Sequence, residues 1–159
     1  MNESRSFIVR GHHDHASCAI VQLSAGVGRT IAEGMSCVQS LGLAHVREVS
    51  DDALCLLAEF LWIEHLDLAY CLHATDAGLA AIAEASSGLL SLNISWCRKL
   101  TDASLDALAS GCRHLETLTA IACDQLSDAA FARLQAAVPL LKIMRVEVQA
   151  VELDQGRSV

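Results

Sequence analysis

Apolar positions along this chain switch between two periods in regular alternation. A short Leu-x-Leu segment, apolar at every second residue, is followed after a polar gap by a stretch apolar at i, i+3 and i+4. The first pattern predicts a strand with one buried face and the second a helix with one buried stripe. The pair recurs. Leu66-Asp-Leu-Ala-Tyr-Cys71, Leu92-Asn-Ile-Ser-Trp-Cys97 and Leu118-Thr-Ala-Ile-Ala-Cys123 place their cysteines at equal steps along the chain. At the same short distance beyond each cysteine stands Thr75-Asp76, Thr101-Asp102 or Ser127-Asp128. A fixed period of about 20–50 residues marks stacked structural repeats, which usually serve as binding surfaces.

The register extends in both directions. Leu41, Leu43 and Val46 precede Leu66, Leu68 and Cys71 by one step, a single position shorter than the step from Cys71 to Cys97. Leu141, Met144 and Val146 follow Leu115, Leu118 and Ala120 by the full step. The strand position is therefore expected at Leu41, Leu66, Leu92, Leu118 and Met144. Helices are expected over 76–85, 102–112 and 128–137. Their inward faces are Leu79, Ile82 and Ala83; Leu105, Leu108 and Ala109; Phe131, Leu134 and Ala137. The Thr or Ser supplies the acceptor that starts each helix, and the following Asp favours its positive end. Gly88 and Gly111 stand where a helix ends. The cysteine, small and weakly polar, offers an S–H donor to a buried carbonyl under the turn. Residues 24–148 read as about five repeats, the first degenerate, with 31–34 as its helix. Residues 1–23 read as an N-terminal segment or cap, and 149–159 as a C-terminal cap and tail. The alternation over 146–154 predicts a closing strand.

Composition narrows the function. The chain has 159 residues, enough for one domain with a sizeable core, and only six of them are Phe, Tyr or Trp. The net charge of −8 opposes non-specific nucleic-acid binding. No apolar run reaches the roughly 20 residues of a bilayer span. The start offers only the short apolar run Phe7-Ile8-Val9, too brief for a signal-peptide core. Seven cysteines without Cys-x-x-Cys, three of them at a repeat position, point to free thiols in an intracellular reducing compartment. The cytoplasm fits first; nucleus, cilium and mitochondrion remain open.

The pattern Leu92-x-Ile94-x-Trp96-Cys97-x-x-Leu100-Thr101-Asp102-x-x-Leu105-x-x-Leu108-Ala109-x-x-Cys112 resembles the cysteine-containing subtype of leucine-rich repeat. The resemblance covers about residues 30–148. It implies an α/β fold: a right-handed leucine-rich-repeat solenoid, a short horseshoe with a parallel sheet on the concave face and helices on the convex face. The subtype is typical of F-box leucine-rich-repeat proteins, substrate receptors of cullin–RING ubiquitin ligases, and also of ciliary and mitochondrial assembly proteins. No F-box is legible in residues 1–30.

Candidate binding residues follow from the strand alternation. Gly42, Asp67, Asn93, Thr119 and Arg145 form one outward column; His45, Tyr70, Trp96 and Ala122 form a second, just before the cysteine position. Tyr70 and Trp96 are expected on adjacent rungs, as aromatic anchors or as packing over the loop. His12, His13 and His15, with Cys18, form the one metal-like cluster, most simply a solvated loop. The stretch 24–30, with Gly26 and Gly28, lacks the Gly-Lys-Ser/Thr ending of a phosphate loop. No cofactor is expected. No catalytic set is legible, and His65 and His114 read as surface residues. Three functions remain open: a scaffold or adaptor that binds protein partners; the substrate-recognition part of an SCF-type ligase with a Skp1-type adaptor; and, from another class, a metal or nucleotide enzyme using residues 12–30.

Overall fold

The computed structural model describes residues 5–8, 38–46, 49–60 and 63–145. Six strands, β1 (Arg5–Ile8), β2 (Val38–Gly42), β3 (His65–Asp67), β4 (Ser91–Asn93), β5 (Thr117–Thr119) and β6 (Lys142–Met144), form one sheet in sequence order. Every neighbouring pair is parallel. Among the described residues four helices, α1 (Asp51–Phe60), α2 (Asp76–Ala85), α3 (Asp102–Gly111) and α4 (Asp128–Ala137), alternate with the strands from β2 onward and pack against one another in the same order.

The register stacks the leucines. Leu41 lies beside Leu66, Leu66 beside Leu92, and Leu92 beside Leu118. The second residue of each Leu-x-Leu follows inward, so Leu43, Leu68, Ile94 and Ala120 are all buried. Helical residues close this core from the other side: Leu54, Leu79, Leu105 and Phe131 in one row, Leu57, Ile82, Leu108 and Leu134 in the next. Burying one such leucine contributes about 1.5–3 kcal/mol, which is why so short a strand suffices in every rung.

Two expectations change in the structure. Leu118 pairs with Ile143, not Met144, which faces solvent at 52% exposure. The step from Leu118 to Ile143 is one position shorter than the two before it, as is the step from Leu41 to Leu66, so the longer step carried forward overshoots. Ala137 is exposed, and Ala130 takes the buried place on α4; Ala109 is half-buried. The N-terminal segment, read as a segment or cap, supplies β1, which sets Phe7 beside Leu41.

Thr75, Thr101 and Ser127 cap their helices, accepting hydrogen bonds from the N–H of Ala77, Ala103 and Ala130. The aspartates do more than favour a helix terminus. Asp51 accepts the N–H of Thr75 at 2.8 Å and its hydroxyl at 2.6 Å. Asp76 takes Thr101 in the same way, at 2.8 and 2.6 Å, and Asp102 takes Ser127, at 2.7 and 2.6 Å. Asp51, Asp76 and Asp102 therefore each hold the cap of the next repeat, and the hydrogen bonds from Ser127 lower the pKa of Asp102.

Candidate functional site

The strand-to-helix turns share one design. Asp67 Oδ1 accepts the N–H of Ala69 at 3.0 Å. One rung on, Asn93 Oδ1 accepts both the N–H (3.1 Å) and the hydroxyl (2.7 Å) of Ser95. Such short polar side chains bend the backbone locally. The Ser95 hydroxyl oxygen then accepts the N–H of Ile121 at 3.2 Å, tying this turn to the next. Cys71 N–H closes the turn on the Leu68 carbonyl at 3.0 Å, Cys97 N–H on Ile94 at 3.1 Å, and Val46 N–H on Leu43 at 3.1 Å.

This closure places the residue before the cysteine position in the left-handed region. The φ values are 65° at His45, 62° at Tyr70, 63° at Trp96 and 55° at Ala122. A non-glycine residue there costs roughly 1–2 kcal/mol. The conformation is held because those N–H groups join the stack: His45 donates to Ala69 O at 2.7 Å, Tyr70 to Ser95 O at 2.9 Å, and Trp96 to Ile121 O at 2.9 Å.

The same column carries the rings. His45 and Tyr70 stack with centroids 4.3 Å apart and planes 16° apart. Tyr70 and Trp96 stack at 5.3 Å and 11°. The Arg98 guanidinium lies 5.2 Å from the Trp96 centroid. His45 is exposed, Tyr70 and Trp96 are half-buried, and Ala122 is buried. Each stacked pair contributes about 0.5–1.5 kcal/mol beyond its buried area.

Under the turns run the thiols. Cys71 Sγ donates to Leu43 O at 3.3 Å, Cys97 Sγ to Leu68 O at 3.1 Å, and Cys123 Sγ to Ile94 O at 3.1 Å, each to the preceding rung. Burial pushes the Cys97 thiol up to about 12 and that of Cys112 up to about 11. Cys71 is raised too, first by burial and then by its neighbours Cys97 and Asp67. Cys123 is raised by burial. These sulfurs are neutral donors, not nucleophiles.

No family model matches the chain, and none of the curated proteins matches it. Among solved structures it is similar to a chain in the crystal structure of the Rad7 and Elc1 complex in yeast, at 18% identity and a TM-score of 0.59. The similarity covers 73% of this chain and 31% of that one, so the present sequence spans under a third of its structural neighbour. What the two share is the fold: an α/β repeat in which a parallel sheet alternates with helices.

The sequence-predicted site residues fall in three groups. His45, Tyr70 and Trp96 come together as the stack. Asp67 and Asn93 are half-buried beside it, and their side chains are engaged by the turns; Thr119 is half-buried on β5. Arg145 leaves the expected column, because the register of β6 sets Met144 opposite Thr119. Its guanidinium pairs with Asp128 and lies 4.9 Å from the Phe131 ring centroid. His12, His13, His15, Cys18 and the stretch 24–30 lie outside the described residues, as do 31–34 and 146–154. Among the described residues no group of three or more His, Cys, Asp or Glu side chains could hold a metal ion. No described helix is long and apolar enough to cross a membrane. Sequence reasoning missed the role of Arg98. The signal was there: it stands just beyond Trp96 and Cys97, at the place held by Leu72 and Asp124 in the flanking repeats.

Proposed function

We propose that this chain is a non-catalytic protein-interaction module, working as a scaffold or adaptor subunit of a larger assembly. In this reading it is a right-handed solenoid of cysteine-containing leucine-rich repeats, with the strands on its concave face and the helices on its convex face. The near-constant repeat step, the thiol column and the capped helices support that assignment. So does the similarity in fold to a chain solved within a two-protein complex.

One observation carries the interaction reading: the stack of His45, Tyr70 and Trp96 along the turn edge. Partly exposed aromatic rings on a rigid backbone lose little side-chain entropy when a partner covers them. Burial holds the thiols of Cys71 and Cys97 neutral, which fits a structural role for them and a reducing compartment.

The test is quantitative affinity purification of the wild-type protein and a Tyr70→Ala/Trp96→Ala double variant, with thermal unfolding of both. The expected result is a folded variant that recovers less of its partners by about tenfold or more, in line with the weight of aromatic anchors. Equal recovery by the double variant sinks the anchor assignment. The narrower ligase reading makes an additional demand. A Skp1-type adaptor must then co-purify with the wild-type chain in stoichiometric amount.

A further inference from the structure

Resting on that interaction reading, we propose that Arg98, held over Trp96, receives a carboxylate from an acidic peptide segment of the partner. The other arginines that reach a ring or a neighbouring rung are engaged by carboxylates of this chain. Arg133 pairs with Asp106 at 2.9 Å, and Arg145 pairs with Asp128. Arg98 is exposed and makes no ion pair among the described residues. Asp124 stands at the equivalent place on the next rung, yet the guanidinium takes the indole ring instead.

A cation–π contact uses the charge of a guanidinium without giving its N–H groups an acceptor. The planar fork remains available for a carboxylate, which it binds in two parallel hydrogen bonds. The ring also restricts the side chain, so less rotamer freedom is lost when the anion arrives. Lys99, exposed and adjacent, supplies a second positive charge. With their faces taken up by the stack and by Arg98, Tyr70 and Trp96 offer ring edges to the stems of the incoming residues. In a chain of net charge −8, an arginine without an ion pair beside the aromatic stack marks the sign of what docks there.

Single-stranded nucleic acid also combines stacking with cations, but it needs a basic track along its backbone. Glu64, Asp67 and Glu116 line the neighbouring strand starts and ends, and they repel such a backbone. A peptide carboxylate needs only the local pair of Arg98 and Lys99.

The experiment probes an array of random synthetic peptides with the full chain, as wild type and as Arg98→Ala, Arg98→Lys, Tyr70→Ala and Asp124→Asn. An oligothymidine is titrated in parallel. The captured peptides are expected to be rich in Asp and Glu. Their affinity is expected to fall about tenfold or more in Arg98→Ala, the usual scale for a lost charge-assisted contact. It should fall less in Arg98→Lys, rise in Asp124→Asn and weaken as salt is added. Peptides that need Tyr70 but ignore Arg98 overturn this inference and leave the docking reading standing. An array with no Tyr70-dependent binding overturns both. Oligothymidine binding that exceeds peptide binding and depends on Arg98 replaces the peptide with nucleic acid and also overturns it.

Discussion

Ser86 Oγ is buried and, among the described residues, has no hydrogen-bond partner. The equivalent C-cap positions of the next two helices hold Cys112 and Val138. Side chains with a weak donor or none suit this site, and an orphaned hydroxyl costs about 1–3 kcal/mol. Ser86→Ala is therefore expected to raise stability by roughly 1 kcal/mol, measured by denaturant unfolding. An unchanged or lower midpoint would mean the hydroxyl is satisfied. The thiols make a pH-dependent prediction. In the unfolded chain Cys97 titrates near 9.0, and in the fold only near 12. The unfolded state loses its proton first as pH rises. The stabilisation is thus complete below about pH 9 and is lost progressively towards pH 12. Unfolding free energy measured at rising pH above 9 should fall more steeply for wild type than for Cys97→Ser. Parallel slopes would contradict the assignment. Residue by residue, the caps were legible because they bond neighbours in sequence, and the cysteines because they recur at the repeat step, although their carbonyl acceptors lie one rung back. The left-handed φ at Tyr70 and Trp96 was not, since neither residue type advertises it.

At the scale of elements, the two glycines marked as helix ends behave differently. Neither occupies the left-handed region. A Cβ on Gly111 would lie 2.1 Å from the carbonyl oxygen of Ala83 on the adjacent helix, whereas one on Gly88 meets nothing within 4 Å. Gly111 is there for the close approach of α3 to α2, not for a turn. Helix propensity alone favours alanine over glycine by about 1 kcal/mol. The clash outweighs it, so Gly111→Ala is expected to lose about 1–3 kcal/mol by overpacking. Gly88→Ala is expected to be neutral or to gain up to about 1 kcal/mol through the unfolded chain. Melting temperatures of the two variants decide this; a Gly111→Ala protein as stable as wild type would refute the close approach. The helix ends were visible in the sequence to within a residue. Which glycine bears the packing load depends on Ala83, in the helix of the preceding repeat.

For the whole molecule, each repeat touches only its neighbours, so coupling should decay along the stack. Leu92 pairs in register with Leu118, while Leu41 is two rungs from Leu92 and three from Leu118. Leu92→Ala alone is expected to cost about 2–5 kcal/mol. Combined with Leu118→Ala it should deviate from additivity by about 0.5–3 kcal/mol, whereas Leu41→Ala with Leu118→Ala should add. A double-mutant cycle on denaturant unfolding measures both. Additive behaviour for the adjacent pair would mean that the rungs do not share one interior. The cap links made by Asp51, Asp76 and Asp102 also join adjacent repeats and add to the same coupling.

By itself the sequence determined the repeat, the strand order from 41 and the helices from 76 onward, the leucine column as far as Leu118 and the cysteine under each turn. All of these are periodic in covalent spacing, and short-range patterning writes them directly. Only the tertiary structure decided that Ile143 and not Met144 joins the last rung, and that Arg145 consequently leaves the candidate column for Asp128. It also decided that Asp51, Asp76 and Asp102 hold the next repeat's cap, and that His45, Tyr70, Trp96 and Arg98 form one stack. The reason is physical. Two repeat steps that differ by a single position look nearly the same along the chain, but they change which atoms meet across a rung. That choice is made by hydrogen bonds and packing between two repeats, and neither repeat encodes it alone.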